Sequence, residues 1–442
     1  MSKSSKGILV GSISGFPEML PKDQIAFNGC LDLIRRQFES FGFSPLDTPV
    51  VEKASTLLSK GNDNEIYGLC RLASDEMAKK ELGLRFDLTV PLARYVAEHA
   101  GQLIFPYKRY HIAPVFRGER AQAGRYRQFI QCDIDIIGDA ELALAYDAEV
   151  LAIVYKIFTA IRLPNYRIRI NNRKILIGLI QAFGVEADRI EATIRQIDKK
   201  DKIDAIEMGK GLSDIGISSK SVQAIQDFLA MPEKLSYLES LPKEPLLEEG
   251  LLELKEVLRL AQAFHVSSDV LEIDPTLARG LNYYTGIIYE TKWLDCPELG
   301  SICGGGRYQN LAATFTKKSL PGVGISIGVS RLIPKMIEKG LIPSSAETLA
   351  RVLVCVQDRQ FLAHYIAIAE KIRNQGIPTE IYLQEKPLPN QIKYADRKGF
   401  EIVVIANEEE IHQGRINYKI LKEQIQVNAT VDELIVHLKK QK

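Results

Sequence analysis

The chain has 442 residues, 46% hydrophobic and 26% charged, and at roughly 150 residues per domain this length implies two or three folding units with ordinary globular cores. Its 57 Lys and Arg nearly cancel its 56 Asp and Glu, leaving a formal net charge of +1, so no global field holds a polyanion and a nucleic-acid partner must be gripped by local patches. The 31 Gly and 19 Pro are near average usage, which excludes collagen-like and low-complexity chains. The six cysteines at 30, 70, 132, 296, 303 and 355 contain no C-x-x-C pair, so a zinc ribbon or secreted disulfide framework is not expected and a reducing cytosol is. The start, MSKSSKGILVGSISGF, has no long apolar h-region or A-x-A site, and nowhere do 18 apolar residues run together. A soluble, cytoplasmic protein without a membrane partner is expected.

From Asp23 to Phe41 apolar residues recur at helical spacing and Gly42 ends the pattern, which predicts an amphipathic helix. Pro45 and Pro49 lie in the extended stretch Phe43 to Val51, and because proline donates no ladder hydrogen bond this stretch is read as an edge or interface strand. Strand-like runs follow at Leu84 to Leu88, Arg109 to Arg117 and Tyr126 to Gly138. In the last of these, alternation puts Phe129, Gln131, Asp133 and Asp135 on one face and Ile130, Cys132, Ile134 and Ile136 on the other. The polar face is expected to look into something wet, with Gln131 and Asp135 roughly 13 Å apart along it, the length of a small-ligand pocket. An ordinary solvated strand face fits the same pattern. After a helical segment, Ala140 to Ile161, and a short strand, Arg167 to Asn171, residues 173–262 change to short, charged helical patterns and are read as a mainly helical insertion. Strand signals resume near 270 and end in GVGISIGVSRLIPKMIEKG. The run GLIPSSAETLA reads as a linker, and VLVCV, TEIYL and IVVIA then alternate with helical segments, the signature of a small α/β domain with parallel strands.

No G-x-x-x-x-G-K-[ST], G-x-G-x-x-G or H-E-x-x-H pattern is present, so neither a P-loop, a dinucleotide fold nor a histidine-built metal site is expected, and no metal ligand is assigned. What the strand-like segments carry instead is arginine: Arg117, Arg125, Arg127, Arg279, Arg307 and Arg331, beside glycines and tyrosines. Arginine is the planar, permanently charged partner of phosphate and carboxylate. Taken singly, each also fits a structural ion pair. Taken together with Gly304, Gly305 and Gly306, which permit close approach of backbone to a ligand or form a turn, they point to an anionic ligand such as a nucleotide.

At these residues the sequence closely resembles the histidyl-tRNA synthetases, class II aminoacyl-tRNA synthetases. RFDLTVPLARYVA (85–97), YHIAPVFRGERAQAGRYRQFIQCDIDIIG (110–138), LARGLNYYTGIIYE (277–290), CGGGRYQNL (303–311) and GVGISIGVSRL (322–332) each look like a segment of that family, in the family's order. RGLxYYTG is specific to the histidine enzymes and their close paralogues, whereas FRxE and GxGxxxGxxR are general to class II. The resemblance implies an α+β catalytic core on a class II antiparallel sheet (1–172 and 263–340), a helical insertion (173–262), a linker (341–350) and a C-terminal anticodon-binding α/β domain with a mainly parallel sheet (351–442). Pro49 falls where the class II dimer motif carries its proline, which implies a homodimer. The activity implied is histidine activation by ATP and transfer to tRNA(His), with Mg2+ accompanying ATP.

Residue by residue, Arg117 resembles the arginine that bridges the substrate carboxylate and the ATP α-phosphate, and Arg279 the histidine-specific arginine at that phosphate; these two are the expected catalytic residues. Glu119 resembles the acidic residue near the adenine amino group, Arg331 the arginine at the γ-phosphate, and Arg125 falls in the same ATP-binding motif. Within Asp87-Leu88-Thr89, Asp87 and Thr89 look like contacts to the histidine α-amino group, supported by Gln131. Asp135 with Tyr284, Tyr283 and Tyr308 looks like the imidazole pocket. The family's RGLDYY is RGLNYY here, with Asn282, and GRYD is GRYQ, with Gln309; neither position is assigned a ligand contact. The alternative is a non-aminoacylating paralogue acting as regulatory subunit of ATP phosphoribosyltransferase, expected to lose active-site arginines and the C-terminal domain. Lys386, Lys393, Arg397 and Lys398 suit either tRNA contact or a solvated face.

Overall fold

The computed structural model of the protein describes residues 10–59, 65–71, 81–120, 124–232, 234–241, 244–278, 284–344 and 346–440. Contacts group the chain into two units, one of residues up to Glu18 with Cys30–Met336, the other of Met19–Gly29 with Ile337 onward. The strands of the first, in chain order, are β1 (Ser44–Pro45), β2 (Val51–Lys53), β3 (Gly68–Leu69), β4 (Leu82–Leu84), β5 (Tyr107–Phe116), β6 (Gln128–Ile137), β7 (Tyr166–Asn172), β8 (Leu271–Ile273), β9 (Tyr284–Trp293), β10 (Ser301–Tyr308) and β11 (Gly322–Ile327). Eight of them form one sheet in the order β1-β5-β6-β11-β10-β9-β7-β8, and β2-β4-β3 form a small one. The large sheet is antiparallel throughout its middle and parallel only at its two ends, β1 with β5 and β7 with β8.

Pro49 lies outside any strand and Val51 opens β2 of the small sheet, so of the proline-bearing stretch only the two-residue β1, with Pro45, is an edge strand of the large sheet. Its shortness explains Pro114 inside β5. Even-numbered residues of β5 turn their main-chain groups away from β6: the Tyr110 carbonyl accepts from Leu46 N at 2.9 Å, and Phe116 N donates to the Arg85 carbonyl at 2.9 Å. Pro114 lies between them, beyond the end of β1, where no ladder donor is required, and Arg85 Nε caps its carbonyl at 2.9 Å. The run expected as a strand over Leu84 to Leu88 is strand only as far as Leu84; the chain then turns into a helix, Thr89–His99, whose first turn receives the Asp87 carboxylate on Val90 N at 3.0 Å.

The helix Ala145–Ala160 is apolar on most sides, with Val150, Leu151, Ile153, Val154 and Ile157 at most 2% exposed, as befits a fully covered core helix. Residues 173–262 are helical. Their helices start where side chains cap them: Asn172 accepts from Lys174 N at 3.1 Å, Asp204 from Glu207 N at 2.8 Å and Ser218 from Ser221 N at 3.2 Å. Ile180, Ile194, Met208, Leu212 and Ile225 give this segment a core of its own.

In the second unit β12 (Val352–Val354) pairs in parallel with both β13 (Thr379–Ile381) and β14 (Ile402–Ile405). The runs read from the sequence are these three. Val352 and Val354 join one apolar cluster with Tyr365 and Leu434, while Leu353 joins another with Ala395 and Phe400; burial on both faces accounts for the unbroken apolar run. The sheet is mixed, because an antiparallel hairpin, β15 (Ile416–Ile420) and β16 (Ile425–Ala429), continues it beyond β14.

Candidate active site

The polar face of β6 turns toward a cavity of about 400 Å3, bounded also by β9, β10 and β11. Gln131, Asp133 and Asp135 line it and are only 9%, 3% and 5% exposed, so the face expected to be wet is the wall of an open cavity, not a flat solvated surface. At one end the Tyr308 hydroxyl donates to Asp135 Oδ1 at 2.9 Å. Glycine on β11 makes room for that pair: a Cβ on Gly324 would stand 2.1 Å from Asp135 Oδ1, and one on Gly322 2.3 Å from the Tyr308 ring. Behind, Arg109 of β5 is the cross-strand neighbour of Asp135. Its fully buried guanidinium pairs with Asp135 Oδ2 at 2.5 Å.

Two carboxyls beside one guanidinium are not both comfortably ionised. Burial pushes Asp133 up to about 7 against the pull of Arg109 and a Ser326 hydrogen bond, and raises Asp135 likewise against Arg109 and Tyr308. His111, opposite Asp133 in the ladder, adds no cation: burial, then Arg109 and Arg85, hold it down at about 4 despite Asp47. The carboxyl-bearing end of this cavity suits a positively charged group. In the unfolded chain Asp133 ionises near its ordinary 3.8, so the folded protein loses stability as pH rises from about 4 to about 7, with no further loss above. Asp133→Asn is therefore expected to melt several degrees above the parent at pH 8 and level with it only below about pH 3.5. A pH-independent gap in Tm would contradict the cause given.

Past Phe129 lies a second chamber of about 190 Å3, lined by Arg117, Glu119, Arg125, Tyr126, Ser330 and Arg331. Arg117 and Arg331 border both chambers. Arg117 Nε donates to the Phe86 carbonyl at 3.1 Å and its guanidinium lies 5.1 Å from the Phe129 ring centre, contacts that orient the charge without neutralising it. Arg331 Nη1 donates to the carbonyls of Leu299 at 3.1 Å and Ser301 at 3.3 Å. A chamber walled by Asp87, Asp133 and Asp135 thus adjoins one walled by Arg117, Arg125 and Arg331.

A family model described as histidyl-tRNA synthetase matches residues 15–332. The chain belongs to the histidyl-tRNA synthetase family. A second family model, described as an anticodon binding domain, matches residues 350–441. The histidine–tRNA ligase of Xanthomonas campestris pv. campestris (strain 8004) is 42% identical over 447 residues, 95% of this chain and 94% of that one. The crystal structure of histidyl-tRNA synthetase from Nostoc sp. PCC 7120 matches with a TM-score of 0.89 at 37% identity, covering 98% of this chain and 100% of that one. An ATP phosphoribosyltransferase regulatory subunit/histidyl-tRNA synthetase from Bacillus halodurans C has a TM-score of 0.72 at 17% identity over 88% of this chain and 97% of its own, a likeness of fold. The antiparallel sheet with its helices and the separate C-terminal unit is accordingly the class II synthetase architecture read from the sequence.

In this member of the histidyl-tRNA synthetase family, Asp87, Thr89, Arg117, Gln131, Asp135, Tyr284, Tyr308 and Arg331 all border the first chamber. Glu119 and Arg125 border the second. Leu88 does not line either: it is wholly buried with Ala113 and Val115 and fixes its two neighbours from beneath. Arg279, Asn282 and Tyr283 lie outside the described residues, and Gln309 is exposed. Arg307 takes the ion-pair alternative, donating to Asp147 Oδ2 at 2.9 Å and to the carbonyls of Leu142 and Ala143 at 3.0 and 2.9 Å. Asp133 and Ser326 also line the first chamber, and Arg109 stands behind it, though none of the three was assigned a role from the sequence. Asp133 was legible from alternation alone, whereas Arg109 and Ser326 become site residues only through the registers Arg109↔Asp135 and Ser326↔Asp133.

Proposed function

We propose that the chain is a histidine–tRNA ligase that forms histidyl-adenylate and pyrophosphate from histidine and ATP, then passes the histidyl group to the 3′ end of tRNA(His). One observation carries the reading: the Asp135–Tyr308 pair faces the same cavity that Arg117 and Arg331 border. The imidazole lies against Asp135 and Tyr308 with Tyr283 and Tyr284, and the α-ammonium meets Asp87, Thr89 and Gln131. The histidine carboxylate oxygen bonds to the α-phosphorus while the bond from that phosphorus to the bridging oxygen breaks, its electron pair leaving with pyrophosphate. No proton moves. The barrier is the approach of two anions and the charge gathered on phosphorus, which fixed cations offset. Arg117 and Arg279 supply them, Arg331 holds the γ-phosphate, and Glu119 and Arg125 border the nucleotide. Magnesium arrives on the phosphates of ATP, as its preference for oxygen ligands and retained water suggests. In the second step the terminal ribose hydroxyl of tRNA attacks the acyl carbon, its proton passing to the adenylate phosphate, and the acyl carbon–oxygen bond breaks with its electron pair leaving on AMP.

Residues 1–172 and 263–340 serve aminoacylation, 173–262 are the helical insertion, 341–350 the linker, and 351–442 read the anticodon end of the tRNA. Exposed Lys386, Lys393 and Arg397 on and beside the helix Leu388–Lys398 suit phosphate contact. A homodimer through the β1 edge is supported by exposed Pro45, Pro49, Val50 and Val51 there, and the cytoplasm is where such an enzyme works. The test is charging: labelled histidine is expected on tRNA(His) and not on other tRNAs, and a protein that charges no tRNA(His) would contradict the reading. Gly322→Ala, whose methyl group enters the Tyr308 ring position, is expected to raise the histidine KM about tenfold or more in the same assay while the ATP KM stays within about twofold.

A further inference from the structure

Gln131 is bound to β11 as well as to its own strand: its Nε2 donates to Ser326 Oγ at 2.7 Å. Ser326 stands directly across the ladder from Asp133, where the carboxylate draws its hydroxyl. A serine hydroxyl has one hydrogen to give. Given to Asp133, it leaves only lone pairs for Gln131, so the amide must turn its NH2 toward Ser326 and its carbonyl oxygen the other way. That oxygen, Oε1, has no partner although Gln131 is nine-tenths buried and lines the cavity. With the opposite amide orientation, an NH2 group would face the cavity and repel a cation.

We propose that Ser326, directed by Asp133, is a positioning residue that locks the Gln131 amide with its oxygen toward the cavity, and so selects ligands carrying a primary ammonium group. The device rests on the histidine reading of this site and adds to it the means by which an amide, a group of no net charge, distinguishes an ammonium from an uncharged substituent. The amide contributes a directed acceptor at no cost of a further buried anion beside Asp133 and Asp135.

Calorimetric binding of histidine and of 3-(imidazol-4-yl)propionate, which has the same ring and carboxylate without the ammonium, separates the parts. Ser326→Ala is expected to weaken histidine about tenfold and the propionate less than twofold, Ser326→Thr to restore histidine binding, and Asp133→Val to resemble Ser326→Ala. Because Ser326 acts through Gln131, Ser326→Ala is expected to add less than twofold in a Gln131→Ala background. Equal weakening of both ligands, or a full tenfold loss in the Gln131→Ala background, overturns the positioning role while leaving the histidine reading intact. A parent protein that binds neither ligand overturns both.

Discussion

Arg117→Ala is expected to lower histidine-dependent exchange of pyrophosphate into ATP by about a hundredfold to a thousandfold, the roughly 3 to 4 kcal/mol that a fixed donor at a developing charge contributes. Its place explains the size. Arg117 borders both chambers, so in the proposed reaction its charge would be felt by the attacking carboxylate and the phosphate together, most strongly when the two have merged. The loss should fall on kcat more than on either KM. The fold should survive, because what the side chain gives the protein is a hydrogen bond to the Phe86 carbonyl and a contact with the Phe129 ring, about 1 kcal/mol each. Exchange rate and Tm measured on the same preparation check this; near-normal exchange would remove Arg117 from the chemistry.

Asp135→Asn acts on the other chamber and has two consequences. A histidine ring N–H loses its anionic acceptor, and sites that bind through a buried hydrogen bond reject a mismatch by up to roughly 10⁴ to 10⁵; since asparagine keeps one acceptor oxygen, the histidine KM is expected to rise about a hundredfold, with the ATP KM changed less than threefold. The second consequence is structural. Arg109 is wholly buried and pairs with this carboxylate, and stripping a buried ion of its partner costs about 3 to 5 kcal/mol. Part returns because burial had raised the Asp135 pKa and its ionisation no longer has to be sustained. A lower Tm together with a histidine-selective KM rise is therefore expected, and equal rises in both KM values would count against the pocket.

What the sequence made legible follows the range of each physical signal. Alternation is local, so the polar face of β6 and the edge character of Pro45 could be read in advance, and so could the helices within 173–262. Register is not local. Nothing near Arg109 in the sequence says that it will stand opposite Asp135, and nothing near Ser326 that it will meet Asp133 and Gln131; both depend on how β6 slides against its two neighbours. The Arg307 ambiguity had the same origin, since its partner Asp147 is 160 residues away. The hairpin Ile416–Ile420 and Ile425–Ala429 escaped notice because its second strand is short and mostly exposed, so the alternation of Ile425, Val427 and Ala429 gives only a weak signal. Leu88 was swept into the site by its motif, although a leucine between two pocket-lining residues on a helix start must turn the other way.

The central claim is that the two chambers together activate histidine, and pyrophosphate exchange tests it most directly. Among the twenty amino acids, histidine alone is expected to support exchange of labelled pyrophosphate into ATP. No exchange with histidine, or equal exchange with another amino acid, would contradict the account.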